Sequence, residues 1–213
     1  MKKLFLALIL IAGVSSVAKS QVKVQLFPFA GYTFQDKLYF YDGEAKISDG
    51  MTYGGSLTAI LGMFNAVELT YSRQDVDVSA TYGYYDSRGR YVTTTEGTKA
   101  AMNYVFIGGN RLFPIPNNEK LNMFTGFDLG VGWLAPSESQ YSTMTKFSMG
   151  LKGGMKYMFS DKIGMRLQAN LNFPVTNLGA GIMISSSGAS AGVTGYVPIL
   201  QFGFNGGIII NLN

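Results

Sequence analysis

The sequence predicts an all-β protein: an eight-stranded antiparallel up-and-down transmembrane β-barrel, with its apolar face outward and a polar, packed interior. Three observations predict this fold class. Apolar residues alternate with polar or small residues over eight segments of the 213-residue chain, and the connections between these segments are alternately short and long. Only 14% of the residues are charged, against about 25% in an ordinary soluble domain. Much of the surface should therefore contact something other than water.

The first twenty residues have the features of a secretory signal peptide. Two lysines follow Met1, an apolar run covers residues 4–14, and small residues come next. Such a run is too short for a membrane-spanning helix and has the wrong flanks. Cleavage after Ala18 or after Ser20 fits the pattern. The expected organisation is a cleaved signal peptide over residues 1–20 and one barrel domain over residues 21–213.

The sequence pI of about 9.1 depends largely on that first segment. Removing residues 1–20 takes away Lys2, Lys3 and Lys19, which lowers the formal net charge from +4 to about +1. No clustered stripe of Lys and Arg remains elsewhere in the chain. The sequence therefore gives no indication of a nucleic-acid partner.

The clearest alternation covers residues 163–173, where apolar residues occupy the odd positions and polar or small residues the even ones. A helix would mix the two sets around its circumference, whereas a strand puts them on opposite faces. An even number of such strands can close edge to edge. The eight predicted strands are 22–35, 51–61, 66–74, 99–113, 121–133, 147–159, 163–173 and 200–212.

The connections separate into two sets by length. Short turns are expected at 62–65, 114–120 and 160–162, and long loops at 36–50, 75–98, 135–145 and 175–196. Short turns at one end and long loops at the other are typical of outer-membrane barrels, which would put both termini in the periplasm. The apolar parity switches between Tyr71 and Val76, so we also expect a β-bulge near Gln74 or Asp75.

Alternation alone leaves open which face is outside, because a soluble lipocalin-like barrel has the same period with its apolar face inward. Three features favour apolar-outward. Most segments are long enough to cross a bilayer, and the polar face is rich in Gly and Ser, as the narrow interior of an eight-stranded barrel requires. The charged residues share that polar face: Glu68, Lys99, Asp128, Lys152, Lys156 and Arg166.

Aromatic residues stand near the ends of the segments, where a bilayer has its two interfaces. Towards the long loops these are Tyr32, Tyr53, Tyr71, Trp133, Phe147 and Phe173, and towards the short turns Tyr157 and Phe159. Residues bunched at strand ends in this way indicate two interfacial girdles rather than a buried core.

The signal peptide, the eight segments, and stretches such as 28–32 (PFAGY) and 66–71 (AVELTY) resemble the small outer-membrane β-barrel family of Gram-negative bacteria, of OmpA or OmpX type. The resemblance covers essentially the whole mature chain. It implies an outer-membrane location, contact with outer-membrane lipid and folding by the barrel-assembly machinery. The chain departs from the family at its end, where many members carry an aromatic residue that this machinery reads and this sequence has Leu212-Asn213.

The composition excludes several kinds of chemistry. The chain contains no His and no Cys, which removes the commonest general base, the thiolate nucleophile and the usual zinc ligands. Barrel lipases, acyltransferases and proteases characteristically include His among their catalytic groups. We therefore expect no enzyme activity, no cofactor and no metal.

The best-defined polar constellation is a set of five charged residues in the lumen: Glu68, Asp128, Lys152, Lys156 and Arg166. If the third long loop is centred near Gln140, Asp128 lies opposite Lys152, and a tight 160–162 turn puts Lys156 opposite Arg166. The three cations would then share the two carboxylates in a hydrogen-bonded network, because unpaired charges there are costly. Such a network is either a structural plug or a narrow, anion-favouring or gated passage.

The loop at 75–98 is the expected contact surface, because exposed Tyr and Arg are typical interface anchors. The residues concerned are Tyr82, Tyr84, Tyr85, Arg88, Arg90 and Tyr91. The leading hypothesis is a non-enzymatic, structural or surface-interacting outer-membrane protein that binds an extracellular or envelope protein through its loops. The alternatives are a small channel or transporter for small or apolar solutes, an accessory subunit of an envelope secretion or assembly complex, and a soluble lipid-binding barrel.

Overall fold

The fold was analysed in a computed structural model, which describes residues 22–40, 43–85, 87–138, 143–175, 180–185, 188–193 and 200–212. The signal peptide predicted over residues 1–20 lies outside the described residues. Among the described residues there is no helix with the length and apolar character needed to span a membrane.

Eight antiparallel strands form a closed barrel, each paired with the next along the chain and the last paired with the first. Twelve strands are described in all, and we number them β1–β12 in chain order. The barrel strands are β1 (Lys23–Thr33), β4 (Gly50–Leu61), β5 (Asn65–Tyr85), β6 (Tyr91–Ile115), β7 (Asn118–Pro136), β8 (Met144–Met158), β9 (Ile163–Pro174) and β12 (Gln201–Asn211). The predicted fold class is confirmed.

The ends of the barrel differ as the loop lengths predicted. At one end, which we call the turn end, tight turns join β4 to β5, β6 to β7 and β8 to β9. Gly62 and Asn117 take left-handed backbone conformations there, with φ of 72° and 65°, as tight turns often require. The opposite end, the loop end, carries the long connections.

The long connections contain four further strands. In the first, β2 (Asp36–Phe40) and β3 (Gly43–Ile47) form a hairpin, and β3 also pairs with β5. In the last, β10 (Ala180–Ser185) and β11 (Gly188–Val193) form a separate two-stranded sheet. The sequence alone left open whether these loops add strands.

Strands β5 and β6 are 21 and 25 residues long, about twice what a bilayer crossing needs. Their part beyond β4 and β7, residues 76–99, is called the extended hairpin below. With β2 and β3 it forms a four-stranded sheet that continues past the barrel wall.

The bulge expected near Gln74 or Asp75 is absent, so that prediction was wrong. The pairing of β5 with β6 runs without a register shift from Asn65↔Arg111 to Tyr85↔Tyr91. Val76 is 4% exposed and faces inward, whereas Tyr71 is 43% exposed and faces outward. The parity switch in the sequence therefore marks a change in the residues of the inner face. Towards the loop end, beyond the polar part of the lumen, the inner face becomes apolar.

The outer wall is apolar and the interior is polar, as predicted. Large apolar side chains such as Leu57, Leu69, Ile107 and Leu151 are 46–60% exposed on the outer face. The aromatic girdle residues Tyr32, Tyr53, Phe147 and Phe159 are also exposed. The only charged residue we misplaced is Lys99. It is exposed and stands opposite Asp77 on the extended hairpin, so it does not belong to the lumen.

Candidate functional site

Glu68 on β5 is the centre of the lumen and is 1% exposed. Six hydrogen bonds from described residues reach its two carboxylate oxygens, at 2.7–3.2 Å. The donors are Thr58, Thr70, Asn110, Lys152 and Arg166. A buried carboxylate that accepts this many bonds, several of them charge-assisted, is well compensated for its lost hydration.

Arg166 reaches Glu68 from the opposite wall, since β9 and β5 are four strands apart in the barrel. Its two terminal nitrogens bind the two carboxylate oxygens at 2.8 and 3.2 Å. The guanidinium lies between two rings, 4.6 Å from the centre of Phe27 and 4.2 Å from that of Phe124. This bidentate, doubly stacked arrangement ties opposite walls together across the lumen.

Lys152 bridges the two lumen carboxylates. Its Nζ donates to Asp128 Oδ1 at 2.8 Å and to Glu68 Oε1 at 3.2 Å. The predicted register was wrong by two residues, because Gly126 lies opposite Lys152 and Gly150 opposite Asp128. The ion pair forms all the same, because the two side chains meet diagonally across neighbouring strands.

Lys156 lies opposite Arg166, as the tight turn predicted, but it does not share either carboxylate. Its Nζ donates to the Gln25 side-chain oxygen at 3.1 Å and lies 5.4 Å from the centre of the Phe124 ring. Among the described residues, no carboxylate oxygen lies within 4.0 Å of this ammonium. The expectation that three cations share two carboxylates is therefore wrong for Lys156.

Glycines stand directly opposite the charged lumen side chains on neighbouring strands. Gly108 is the register partner of both Glu68 and Asp128, and Gly126 that of Lys152. A Cβ at Gly108 would collide with the Asp128 carboxylate, and one at Gly126 would come within 2.9 Å of Lys152 Cε. Small residues beside long ones were predicted, and the register shows which glycine makes room for which charged side chain.

Sequence reasoning missed the neutral partners of the cluster. Thr58 and Asn110 bind Glu68, and Gln25 binds Lys156. The two stacking rings were also missed, although Phe124 carried a usable signal: it is an aromatic residue at a polar-face position, between Asn122 and Gly126.

A second cluster lies inside the barrel towards the loop end. It is an apolar cluster, called the loop-side cap below: Ile47, Val76, Ala100, Met102, Tyr104 and Phe106. Tyr104 on β6 crosses the lumen and donates to the Gln201 side-chain oxygen on β12 at 2.6 Å. The cavity that touches both the cap and the charged cluster measures about 20 Å³, which is no more than a water molecule occupies.

The contact residues predicted on the 75–98 loop lie at the tip of the extended hairpin. Tyr85 and Tyr91 are 73% and 61% exposed and pack edge to face, with ring centres 5.3 Å apart. Arg88 and Arg90 are exposed as well. The side chains of Tyr82 and Tyr84 lie outside the described residues, although both positions belong to β5.

One edge of the extended hairpin has no partner strand among the described residues. The pairing of β6 with β7 begins at Ala100↔Pro136. Beyond it, the Ser137 N–H donates to the Lys99 carbonyl at 2.7 Å, so the backbone groups of Lys99 point away from β5. Because this direction alternates along an antiparallel strand, the N–H and C=O groups of Thr93, Thr95 and Gly97 point to the same open edge.

A charged pair marks the base of the extended hairpin, on its outer face just beyond Tyr71. Arg73 binds Asp75 through two nitrogens at 2.8 and 3.0 Å. This hydrogen bond lowers the pKa of the Asp75 carboxyl below its ordinary value. Charged residues at this level, directly after the apolar outer face of β5, mark the end of the lipid-facing band.

Comparison with solved structures bears on the fold. Neisserial surface protein A (NspA) superposes with a TM-score of 0.55 and 10% sequence identity, covering 89% of this chain and 97% of that one. The chain has the fold of a small outer-membrane β-barrel. The resemblance to the OmpA/OmpX type is thus confirmed at the level of the fold, which is all that 10% identity supports.

Two further solved structures are similar at lower scores. Ail, the attachment invasion locus protein of Yersinia pestis, gives a TM-score of 0.45 at 10% identity, covering 88% of this chain and 99% of that one. The translocator domain of autotransporter NalP from Neisseria meningitidis gives 0.30 at 11%, covering 97% and 94%. No protein-family model matches the sequence, and no curated protein sequence is similar to it.

Proposed function

We propose that the protein is a non-enzymatic, integral outer-membrane barrel whose closed wall anchors the extended hairpin outside the membrane, where the hairpin binds a protein partner. The observation that carries this proposal is the length of β5 and β6, which continue well past the lipid-facing band. Crossing the bilayer needs only about half of that length, so the remainder is available outside the membrane.

The open edge of β6 supports a specific mode of binding. Its backbone N–H and C=O groups have no partner strand in the part of the chain that the structure describes, and such a row is a template for an added strand. The side chains along this edge are small or hydroxylated at Thr93, Thr95 and Gly97, so they leave room for a second chain. Exposed Tyr85 and Tyr91 at the tip would add contact area.

The interior supports a structural role for the lumen rather than transport. The charged cluster spans the barrel, Tyr104 of the loop-side cap reaches across to Gln201, and the cavity that touches both measures about 20 Å³. A plug that fixes the barrel shape is therefore preferred over a small channel.

The proposed binding mode is tested by Thr95→Pro, with Thr95→Val as its matched control. Proline removes the N–H that points to the open edge and leaves the backbone hydrogen bonds to β5 in place, whereas valine keeps the backbone donor. Both variants lose the side-chain hydrogen bond between Thr95 and Thr81, so this loss is matched in the comparison. We expect Thr95→Pro to abolish most adhesion of expressing cells to immobilised extracellular proteins, and Thr95→Val to retain it. Heat-modifiable migration on gels and recovery in the outer-membrane fraction establish that both variants fold.

Deleting residues 80–94 tests the same surface more coarsely, and adhesion unchanged by this deletion would contradict the proposal. Co-purification from intact envelopes is the second readout. A large complex that survives the deletion would favour an accessory subunit of a secretion or assembly apparatus. A protein that stayed soluble without detergent would refute the membrane location.

A further inference from the structure

We propose that the turn end of the lumen contains a binding site for a small water-soluble phosphate compound, with Lys156 as its principal ligand. The site is separate from the extended hairpin, at the opposite end of the barrel, and does not depend on the function proposed above. It rests on an uncompensated buried charge and on a cavity that reaches this charge from the turn end.

The first observation is the incomplete coordination of Lys156, which is 4% exposed. An ammonium has three N–H donors, and this one makes a single hydrogen bond to the described residues, to Gln25, beside the face of Phe124. The residue directly opposite adds to the unbalanced positive charge, because it is another cation, Arg166.

The two carboxylates of the lumen form ion pairs with the other two cations and not with Lys156. Glu68 binds Arg166 and Lys152, and Asp128 binds Lys152. The lumen cluster therefore has three cations against two anions, and Lys156 is the unmatched member. A buried charge of this kind is normally paired, so a bound anion would complete the interior.

The second observation is a cavity of about 280 Å³ at the turn end, with Lys156 in its wall. Gln25 and Asn122 also line it and offer amide groups, and Lys23 adds a second cation. The adjoining mouth, of about 510 Å³, carries Lys23 and Lys120 together with two acids, Glu119 and Asp161. Because these mouth charges balance one another, the excess positive charge lies deeper, at Lys156.

These features indicate the class of ligand. A phosphate group carries more than one negative charge and three strong acceptor oxygens, which suits an ammonium with two unused donors and an amide neighbour. The cavity is larger than a phosphate group alone needs, so a small organic part can accompany it. Because the polar groups deepest in this cavity, those of Lys156 and Gln25, are buried inside the lumen, the ligand is a soluble compound and not a membrane lipid.

The test uses the purified protein in detergent micelles and inorganic phosphate as the probe, with ionic strength held constant by chloride. Calorimetry should detect phosphate binding to the wild type. Lys156→Met should weaken it by about tenfold or more, since a charge-assisted hydrogen bond is lost. Lys37→Met, which removes an exposed lysine at the loop end, should bind like the wild type.

A second variant keeps the test decisive if Lys156→Met fails to fold. Asn122 is the register partner of Lys156, so Asn122→Asp supplies an internal counter-anion. We expect this variant to lose phosphate binding and to unfold at a higher temperature. The proposal is overturned if the wild type does not bind phosphate, if acetate binds equally well, or if both variants keep wild-type affinity.

Discussion

At the scale of single residues, the lumen depends on Glu68 more than on any other side chain of the cluster. It accepts bonds from two cations and three neutral donors, and its removal would leave Arg166 buried without a counter-charge. Asp128 binds only Lys152 among the described residues. The two carboxylates therefore contribute unequally to stability.

We predict that Glu68→Gln destabilises the barrel by about 3–5 kcal/mol, the usual cost of breaking a buried ion pair from one side. Asp128→Asn should cost less, because Lys152 keeps Glu68 as its partner. Urea unfolding of the protein in lipid vesicles measures both.

Glu119→Gln is the control for this comparison, because Glu119 is exposed at the start of β7 and surface changes usually stay within about 0.5 kcal/mol. Equal destabilisation by Glu68→Gln and Glu119→Gln would show that the central carboxylate is not the organising group.

At the scale of elements, neighbouring strands approach so closely that some inward positions accept only glycine. A Cβ at Gly130 on β7 would collide with the Val105 carbonyl oxygen and come within 2.9 Å of Phe106 Cα on β6. Backbone atoms cannot move aside as a flexible side chain can. By contrast, a Cβ at Gly109 on β6 would meet nothing within 4 Å.

Gly130→Ala should therefore destabilise the barrel by about 1–3 kcal/mol, as overpacking typically does. Gly109→Ala should be neutral, or stabilising by up to about 1 kcal/mol, because alanine loses less conformational entropy in a strand than glycine does. The same unfolding assay measures both. Similar losses at the two positions would contradict the close approach of β6 and β7 as the reason for glycine at position 130.

At the scale of the whole molecule, side chains cross the lumen at two levels. The charged cluster joins β5 to β9 across the lumen, and Tyr104 joins β6 to β12 nearer the loops. Each contact links strands four apart in an eight-stranded ring, which is the widest span available. The two levels also differ in kind, since one consists of charges and the other of apolar side chains.

We predict that the protein shows no conductance steps in a planar lipid bilayer. The double variant Glu68→Ala with Arg166→Ala should also remain closed, because the loop-side cap still blocks the lumen. Further substitution of Tyr104 and Phe106 by Ala should open it. Steps from the wild type would rule out the plug and favour the channel alternative.

The sequence predicted the strands better than the contacts between them. Its period of two correctly located all eight barrel strands and the outward apolar face. The alternation within a strand follows from the lipid on one face and the lumen on the other, so it can be read from that strand alone. It misjudged the register of β7 against β8 by two residues, since that register depends on the length and shape of the 135–145 loop. It also misread the parity switch after Tyr71 as a bulge.

The sequence by itself determined the barrel, its strand number and the outward orientation of its apolar face, because these follow from residue patterns within single segments. Only the tertiary structure decided which charges meet, which end of the lumen is apolar, and which edge of β6 is left open. Glu68 and Arg166 are 98 residues apart, and Tyr104 and Gln201 are 97 apart. Such contacts depend on closure of the ring, which brings strands together that no local pattern relates.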